Sequence, residues 1–287
     1  ELKVASHIEL NSNELAEWMR KLEMSELAVI PEDIKAEIHR RLRRVEEEES
    51  VRIILAIESG SRAWGFASPN SDYDVRFIYV RPKEWYLRVD LEEQRDVIEY
   101  PIVDDIDLNG WDVRKALRLF GKSNPAFIEW IQSPITYIEN GDFRKNALAA
   151  LPSVYSVEKG LYHYRSMAKT NYRGYLQDTE VPLKKYFYAL RPLLAARWIE
   201  RTQLAAPIEF ERVLGEIANE DNLLREIRAL LVKKMASEEI AKGARIEVIN
   251  QFISTELDRL EKHKAPKMVM LEKLATLNEI FTLVLNE

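Results

Sequence analysis

The chain contains no cysteine. Disulfides and thiolate metal sites are therefore excluded, and a reducing cytoplasm is the expected compartment. Histidine is almost as scarce. His7, His39, His163 and His263 are scattered, which argues against a histidine-rich zinc site. No apolar run approaches the roughly 18 residues that span a bilayer, and no signal-like apolar region opens the chain, so a soluble protein without a membrane partner is expected. Internal repeats and low-complexity linkers are also missing. What is present is 287 residues, enough for a sizeable core and two domains. With 46% hydrophobic and 31% charged residues, wholesale disorder is excluded.

Net charge is −6, unevenly distributed. Residues 1–150 carry 21 basic and 29 acidic side chains, whereas 151–287 carry 21 and 19. The stretch 159–201 sets nine Lys or Arg against Asp178, Glu180 and Glu200. A basic stretch beside an acidic half suits a polyphosphate or nucleic-acid substrate. The plainer reading is a solvated helix face.

Helical spacing is expected over 13–24 and 32–47, the second opening at Pro31 and running out through Glu46 to Glu49. Strand-like runs follow at 51–57 and 74–80, with the turn cluster Ser68-Pro69-Asn70-Ser71 between them. Val97 to Ile102 and Ile106 to Leu108 read as further short strands. Trp111 to Phe120 and the segment opening at Asn124-Pro125 read as helices. Beyond residue 150 strand signals vanish. Helical periods cover 155–176, 183–202, 208–217, 221–236, 245–262 and 267–285. The expected architecture is α/β in the α+β sense: a small mixed sheet with helices over residues 1–150, and an all-α domain over 151–287.

The chemistry concentrates between the first two strands. The run Ile53 to Ile57 ends in Gly60-Ser61, and Asp72-Tyr73-Asp74 opens the next run, Val75 to Val80. Carboxylates at i and i+2 on a strand share a face and can share a cation. Gly60 permits close approach of the backbone, and Ser61 offers a hydroxyl and an N–H. A phosphate donor over Gly-Ser, beside carboxylates gripping Mg²⁺, is the equipment of nucleotidyl transfer. Two-metal chemistry needs a third acid, sought in Asp104-Asp105-Ile106-Asp107-Leu108. Strand alternation puts Asp105 and Asp107 on one face. Asp107, deeper in the apolar alternation, is the expected ligand, with Asp105 as the alternative.

Arg62 is placed to reach a phosphate with its guanidinium fork, and Ser71 to position the turn before Asp72. In the helical half Tyr162, Arg165, Lys169 and Tyr172 share one helix face; Lys184, Tyr188 and Arg191 share another. These faces are suited to holding a triphosphate and stacking a base, or simply to covering the domain junction. Trp64, Trp111, Trp130 and His163 read as packing residues.

Gly60-Ser61, Asp72-Tyr73-Asp74 and Asp107 resemble the signature of the DNA polymerase beta nucleotidyltransferase superfamily. The stretches ESGSRAWGFASPNSDYDVRFIY, IDLNGWDVRKALRLFGKSNPAFIEWIQSPI and KKYFYALRPLLAARWI are similar to one branch of it, the bacterial and phage nucleotidyltransferases associated with RNA repair. The resemblance covers roughly residues 50 to 200. It implies a polymerase-beta-like core, two Mg²⁺ ions (or Mn²⁺ in their place) on Asp72, Asp74 and Asp107, and an NTP over the Gly-Ser turn. The expected reaction moves NMP from an NTP, ATP or CTP, to an RNA 3′ end and releases pyrophosphate. Gly60, Ser61, Arg62, Ser71, Lys169, Lys184, Tyr188 and Arg191 are the expected nucleotide contacts. AMP transfer to a protein or to a small-molecule hydroxyl remains the alternative.

Overall fold

Helix α1 (Glu32–Glu49) starts after Pro31, carries Glu32 and Asp33 in its first turn, and stops where Ser50 turns left-handed at φ 52°. The acidic first turn suits the positive end of the helix dipole. The protein is described by a computed structural model over residues 30–236, 242–262 and 273–287. The helix expected over 13–24 and the start of that expected over 267–285 lie outside the described residues.

Five strands follow in a mixed sheet: β1 (Arg52–Glu58), β2 (Tyr73–Val80), β3 (Val97–Glu99), β4 (Ile106–Asp112) and β5 (Thr136–Glu139), in the order β3-β4-β2-β1-β5. Only β2 and β4 run parallel. Both faces of β1 and β2 are covered. Ile53, Ala56, Phe77 and Tyr79 pack with Ile38 and Leu42 of α1. On the other face Leu55, Ile57, Ile78 and Val80 pack with helices α3 (Val113–Gly121), α4 (Pro125–Gln132) and α5 (Phe143–Val154). Burial on two sides explains why these strands read as nearly unbroken apolar runs.

The helical half comprises α6 (Val157–Tyr175), α7 (Lys184–Thr202), α8 (Phe210–Leu214), α9 (Asp221–Ala236) and α10 (Glu247–Leu260). Helix α7 is its axis, with Phe187, Leu190, Leu193, Leu194 and Ile199 all fully buried. Each such side chain stabilises the fold by about 1.5–3 kcal/mol relative to exposure. The two halves interlock. Phe66, from the segment joining β1 to β2, packs at 5.0 Å on Phe187 and 5.4 Å on Phe210.

Three expectations are corrected. Trp111 and Asp112 end strand β4 and do not open a helix. Trp111 stacks on Trp130 at 3.7 Å, and Asp112 Oδ1 caps α3 by accepting from the Arg114 N–H at 2.8 Å. The helical half is not strand-free, because β6 (Glu180–Pro182) pairs antiparallel with β7 (Lys242–Ala244). The final helix, α11 (Leu274–Asn286), does not join the helical core. Leu277, Ile280 and Val284 pack in the core beneath the sheet, so residues 151–287 are not one body.

Candidate active site

The site forms where β1 ends and β2 and β4 begin. The Ser59 N–H donates to Asp74 O at 2.8 Å, which holds the chain leaving β1 against β2. Gly60 then adopts φ +59° and opens a single helical turn, α2 (Gly60–Ala63). A Cβ on Gly60 would lie 1.9 Å from Asp74 Oδ2. The glycine is therefore required by the approach of a carboxylate. Ser61, half-buried beside it, has no hydrogen bond from its hydroxyl among the described residues.

Parallel pairing of β2 with β4 sets Asp74 opposite Asp107. Their carboxylates converge on one group: Arg76 Nη2 donates to Asp74 Oδ1 at 2.9 Å and to Asp107 Oδ2 at 2.7 Å. Asp72 lies exposed just ahead of β2. Burial pushes the Asp74 carboxyl above its ordinary value; Arg76 opposes this, while Asp107 and Asp72 add to it. Asp105 does not share the face of Asp107. It sits at φ 58° in a turn before β4, exposed, so strand alternation does not reach it.

The oxygen-only donor set suits a hard cation such as Mg²⁺. Among the described residues no three acidic or imidazole side chains converge closely enough to chelate an ion unaided. Mg²⁺ in phosphoryl-transfer sites usually takes one or two carboxylates and completes its shell with phosphate oxygens and water. Asp74 and Asp107 meet that demand, at a position now held by a guanidinium.

The other expected contacts divide. Tyr188 sits edge-on to Trp64 at 5.6 Å, beside the Gly60–Ala63 turn. Burial raises its hydroxyl pKa first, and the charges of Asp74 and Asp72 raise it further. Lys184 is exposed at the start of α7. Arg62 does not present its fork to solvent. It is buried, donates through Nη2 to Ser71 O at 2.7 Å and lies 4.1 Å above the Tyr73 ring, tying down the approach to Asp72. Ser71 Oγ accepts from the Ser68 N–H at 2.9 Å and shapes the same turn. Lys169 pairs with Glu261 beyond α10. Arg191 is buried in an ion pair with Glu129 Oε1 at 2.8 Å and covers Trp64, whose Nε1 donates to Glu129 Oε2 at 3.1 Å. Lys169 and Arg191 as observed serve helix packing and the junction between halves.

Two further residues were not singled out in the sequence. Lys234 of α9 donates to Ser68 Oγ at 2.8 Å and to Ser71 Oγ at 3.3 Å, reaching the turn before Asp72 from the helical half. Burial lowers its pKa, and the neighbouring cations Lys184 and Arg62 lower it further. A lysine near a helix C-terminus ordinarily complements the helix dipole, so nothing local marks this one. Glu58, fully buried at the end of β1, accepts from the Asp74 N–H at 3.0 Å and the Tyr137 hydroxyl at 2.6 Å. Its sequence context, the end of an apolar strand, gave no functional signal.

Burial pushes the Glu58 carboxyl up to about 7, against the pull of the two hydrogen bonds it accepts. The folded state then binds the Glu58 proton more tightly than the unfolded chain. The stability from this group is complete below about pH 4.5 and is lost as pH rises through about 7, amounting to about 3 kcal/mol. In urea unfolding without metal ions, Glu58→Gln is expected to flatten that decline. A variant that still loses stability over this window to the same extent would assign the titration elsewhere.

The mixed sheet with its paired carboxylates accords with a polymerase-beta-like nucleotidyltransferase, and comparison with known proteins shows the family. The sequence profile of RlaP, the RNA repair pathway DNA polymerase beta family, matches residues 34–282, and the chain belongs to that family. It is 46% identical over 253 residues to the uncharacterised protein YcgL of Bacillus subtilis (strain 168), covering 88% of this chain and 96% of that one. A crystal structure of a nucleotidyltransferase-like protein from Exiguobacterium sibiricum 255-15 aligns over 84% of this chain and 77% of its own, at 14% identity and a TM-score of 0.30. That likeness is too low to add to the assignment. Among the described residues no helix is long and apolar enough to cross a membrane.

Proposed function

We propose that the protein is a Mg²⁺-dependent nucleotidyltransferase that moves NMP from an NTP, ATP or CTP, to the 3′ end of an RNA. The observation that carries this reading is the convergence of Asp74 and Asp107 on one cation position, 2.9 and 2.7 Å from a shared nitrogen, beside the Gly60-Ser61 turn. Asp74 and Asp107, with Asp72 at the rim, would hold the metal, in whose place Mn²⁺ would serve. When bound, the ion neutralises charge developing on the transferred phosphoryl group and activates the attacking oxygen. Lys184 and Lys234 face the triphosphate, Ser61 offers its hydroxyl to a phosphate oxygen, and Tyr188 lies against the base. The acceptor 3′ oxygen attacks the α-phosphorus and gives its proton to a carboxylate of the cluster. The bond from the α-phosphorus to the bridging oxygen breaks, and pyrophosphate leaves. Cytoplasmic placement accords with the absence of cysteine.

One observation favours a second reading, AMP transfer to a protein or small-molecule hydroxyl. Four of the nine cations in the stretch 159–201 are neutralised: Lys169, Arg191, Arg197 and Arg201 all pair with glutamates. The test is incubation with each α-³²P-labelled NTP and Mg²⁺, offering total RNA, protein extract and aminoglycoside in parallel. Label sensitive to ribonuclease is the expected result. Label on a polypeptide, resistant to ribonuclease and sensitive to protease, would remove the RNA acceptor and leave the transfer chemistry.

A further inference from the structure

Resting on the RNA reading above, we propose that Tyr175 and Lys185 form a path for the single-stranded acceptor RNA, leading away from the carboxylates across Tyr188. The Lys185 ammonium lies between two rings, 4.2 Å from the centroid of Tyr175 and 4.9 Å from that of Tyr188. Both tyrosines are well exposed, at 46% and 40%. The order along the surface is Trp64, Tyr188, Lys185, Tyr175. Its inner end is rigid, because Tyr188 sits edge-on to Trp64 at 5.6 Å and Trp64 is fixed by Glu129 and Arg191. The same end adjoins the site, because Trp64 directly follows the Gly60–Ala63 turn and its backbone N–H donates to Gly60 O at 3.0 Å.

Packing does not explain the outer end. Tyr175 is the last residue of α6 and leaves almost half its surface in water, where it adds little to a core. Lys185 has no carboxylate partner among the described residues, whereas Lys169, Arg191, Arg197 and Arg201 of the same stretch are each ion-paired, so its charge is not taken up within the fold. Tyr162, the other exposed tyrosine of α6, lies thirteen residues away, about 20 Å along the helix, and is not part of this row. Single-stranded nucleic acid uses exposed aromatic faces beside a cation: Tyr175 offers a ring to a base and Lys185 a charge to the adjoining phosphate, beyond the Tyr188 ring that takes the base of the NTP. A protein acceptor would call for a larger apolar or hydrogen-bonding surface. A free nucleotide, held over the Gly-Ser turn, has no use for a ring on the far side of Lys185.

The experiment measures binding of a short fluorescein-labelled single-stranded RNA to the full chain by anisotropy across a salt series, and NTP binding by calorimetry. Tyr175→Ala is expected to weaken RNA binding on the order of tenfold, with Tyr175→Phe restoring it because the stacking face remains. Lys185→Gln is expected to reduce the slope of log affinity against log salt by about 0.7, the contribution of one phosphate contact to a single strand. Both variants are expected to bind NTP as the parent does. Unchanged RNA affinity and salt slope in the variants, or an equal loss of NTP affinity, would overturn the inference. Two failures are told apart by the parent protein. If its label enters a polypeptide, the RNA acceptor falls and takes this path with it. If the label enters RNA and the variants bind RNA as tightly, only the path falls.

Discussion

Asp74→Asn and Asp107→Asn proteins are expected to fold normally and to lose nucleotidyl transfer by several orders of magnitude. Both substitutions keep the volume of the side chain and remove the charge. The two carboxylates are partly exposed rims of the sheet, 31% and 27% accessible, so neither supports the core. Metal stabilisation of phosphoryl chemistry is worth several kcal/mol, and each 1.36 kcal/mol is tenfold in rate. The structure adds a reason for the two positions to fail alike. They are register partners on parallel strands and meet at the same nitrogen of Arg76, so removing either leaves the cation position half-built. Asp105→Ala is the control: its side chain hangs from a turn outside the strand and should leave the rate near that of the parent. The assay is transfer at saturating Mg²⁺, with circular dichroism to check folding. A fully active Asp107→Asn protein would place the third acid elsewhere. An Asp105→Ala loss matching that of Asp107 would mean that both acids serve the site.

The strands and the carboxylates were legible because both are local. Alternation, apolar runs and an Asp-Tyr-Asp sequence lie within a few residues of each other, and Asp107 stands near the start of a later short strand, whose parallel pairing with β2 is seen only in the structure. The helical-domain contacts were legible only as helix faces, and a face does not say what it meets. Lys169 and Arg191 share faces with plausible ligand-binding residues, yet Glu261 and Glu129, far away in sequence, take their charge. Counting the basic stretch 159–201 therefore overstated the free positive surface. Lys234 was invisible for the opposite reason: it reaches Ser68 across a separation of 166 residues. Arg76 reads as an ordinary outward strand residue until β4 brings Asp107 beside it. Helix α11 was assigned to the helical half by adjacency, and only Ile280 and Val284 packing beneath the sheet correct that.

Gly60→Ala is expected to reduce transfer about a hundredfold, the scale on which a misplacement of about 1 Å at a reacting centre acts. Two effects combine. At φ +59° an L-residue in the left-handed region costs about 1–2 kcal/mol. The new methyl group would also fall 1.9 Å from Asp74 Oδ2 and 2.8 Å from its Cγ, so either the carboxylate or the turn must move. Both belong to the proposed site, in which the turn would set Ser61 toward the phosphate and the carboxylate would hold the metal with Asp107. Gly65→Ala separates the two effects. Gly65 adopts φ +88°, and nothing lies within 4 Å of a Cβ there. It should share the loss of stability without the loss of rate. Thermal melts and single-turnover transfer on the two variants give the comparison. If both lose stability and both keep their rate, the close approach of Asp74 to Gly60 is not what positions the carboxylate. If Gly60→Ala alone loses the rate, the glycine serves the reaction through Asp74 rather than through the backbone turn.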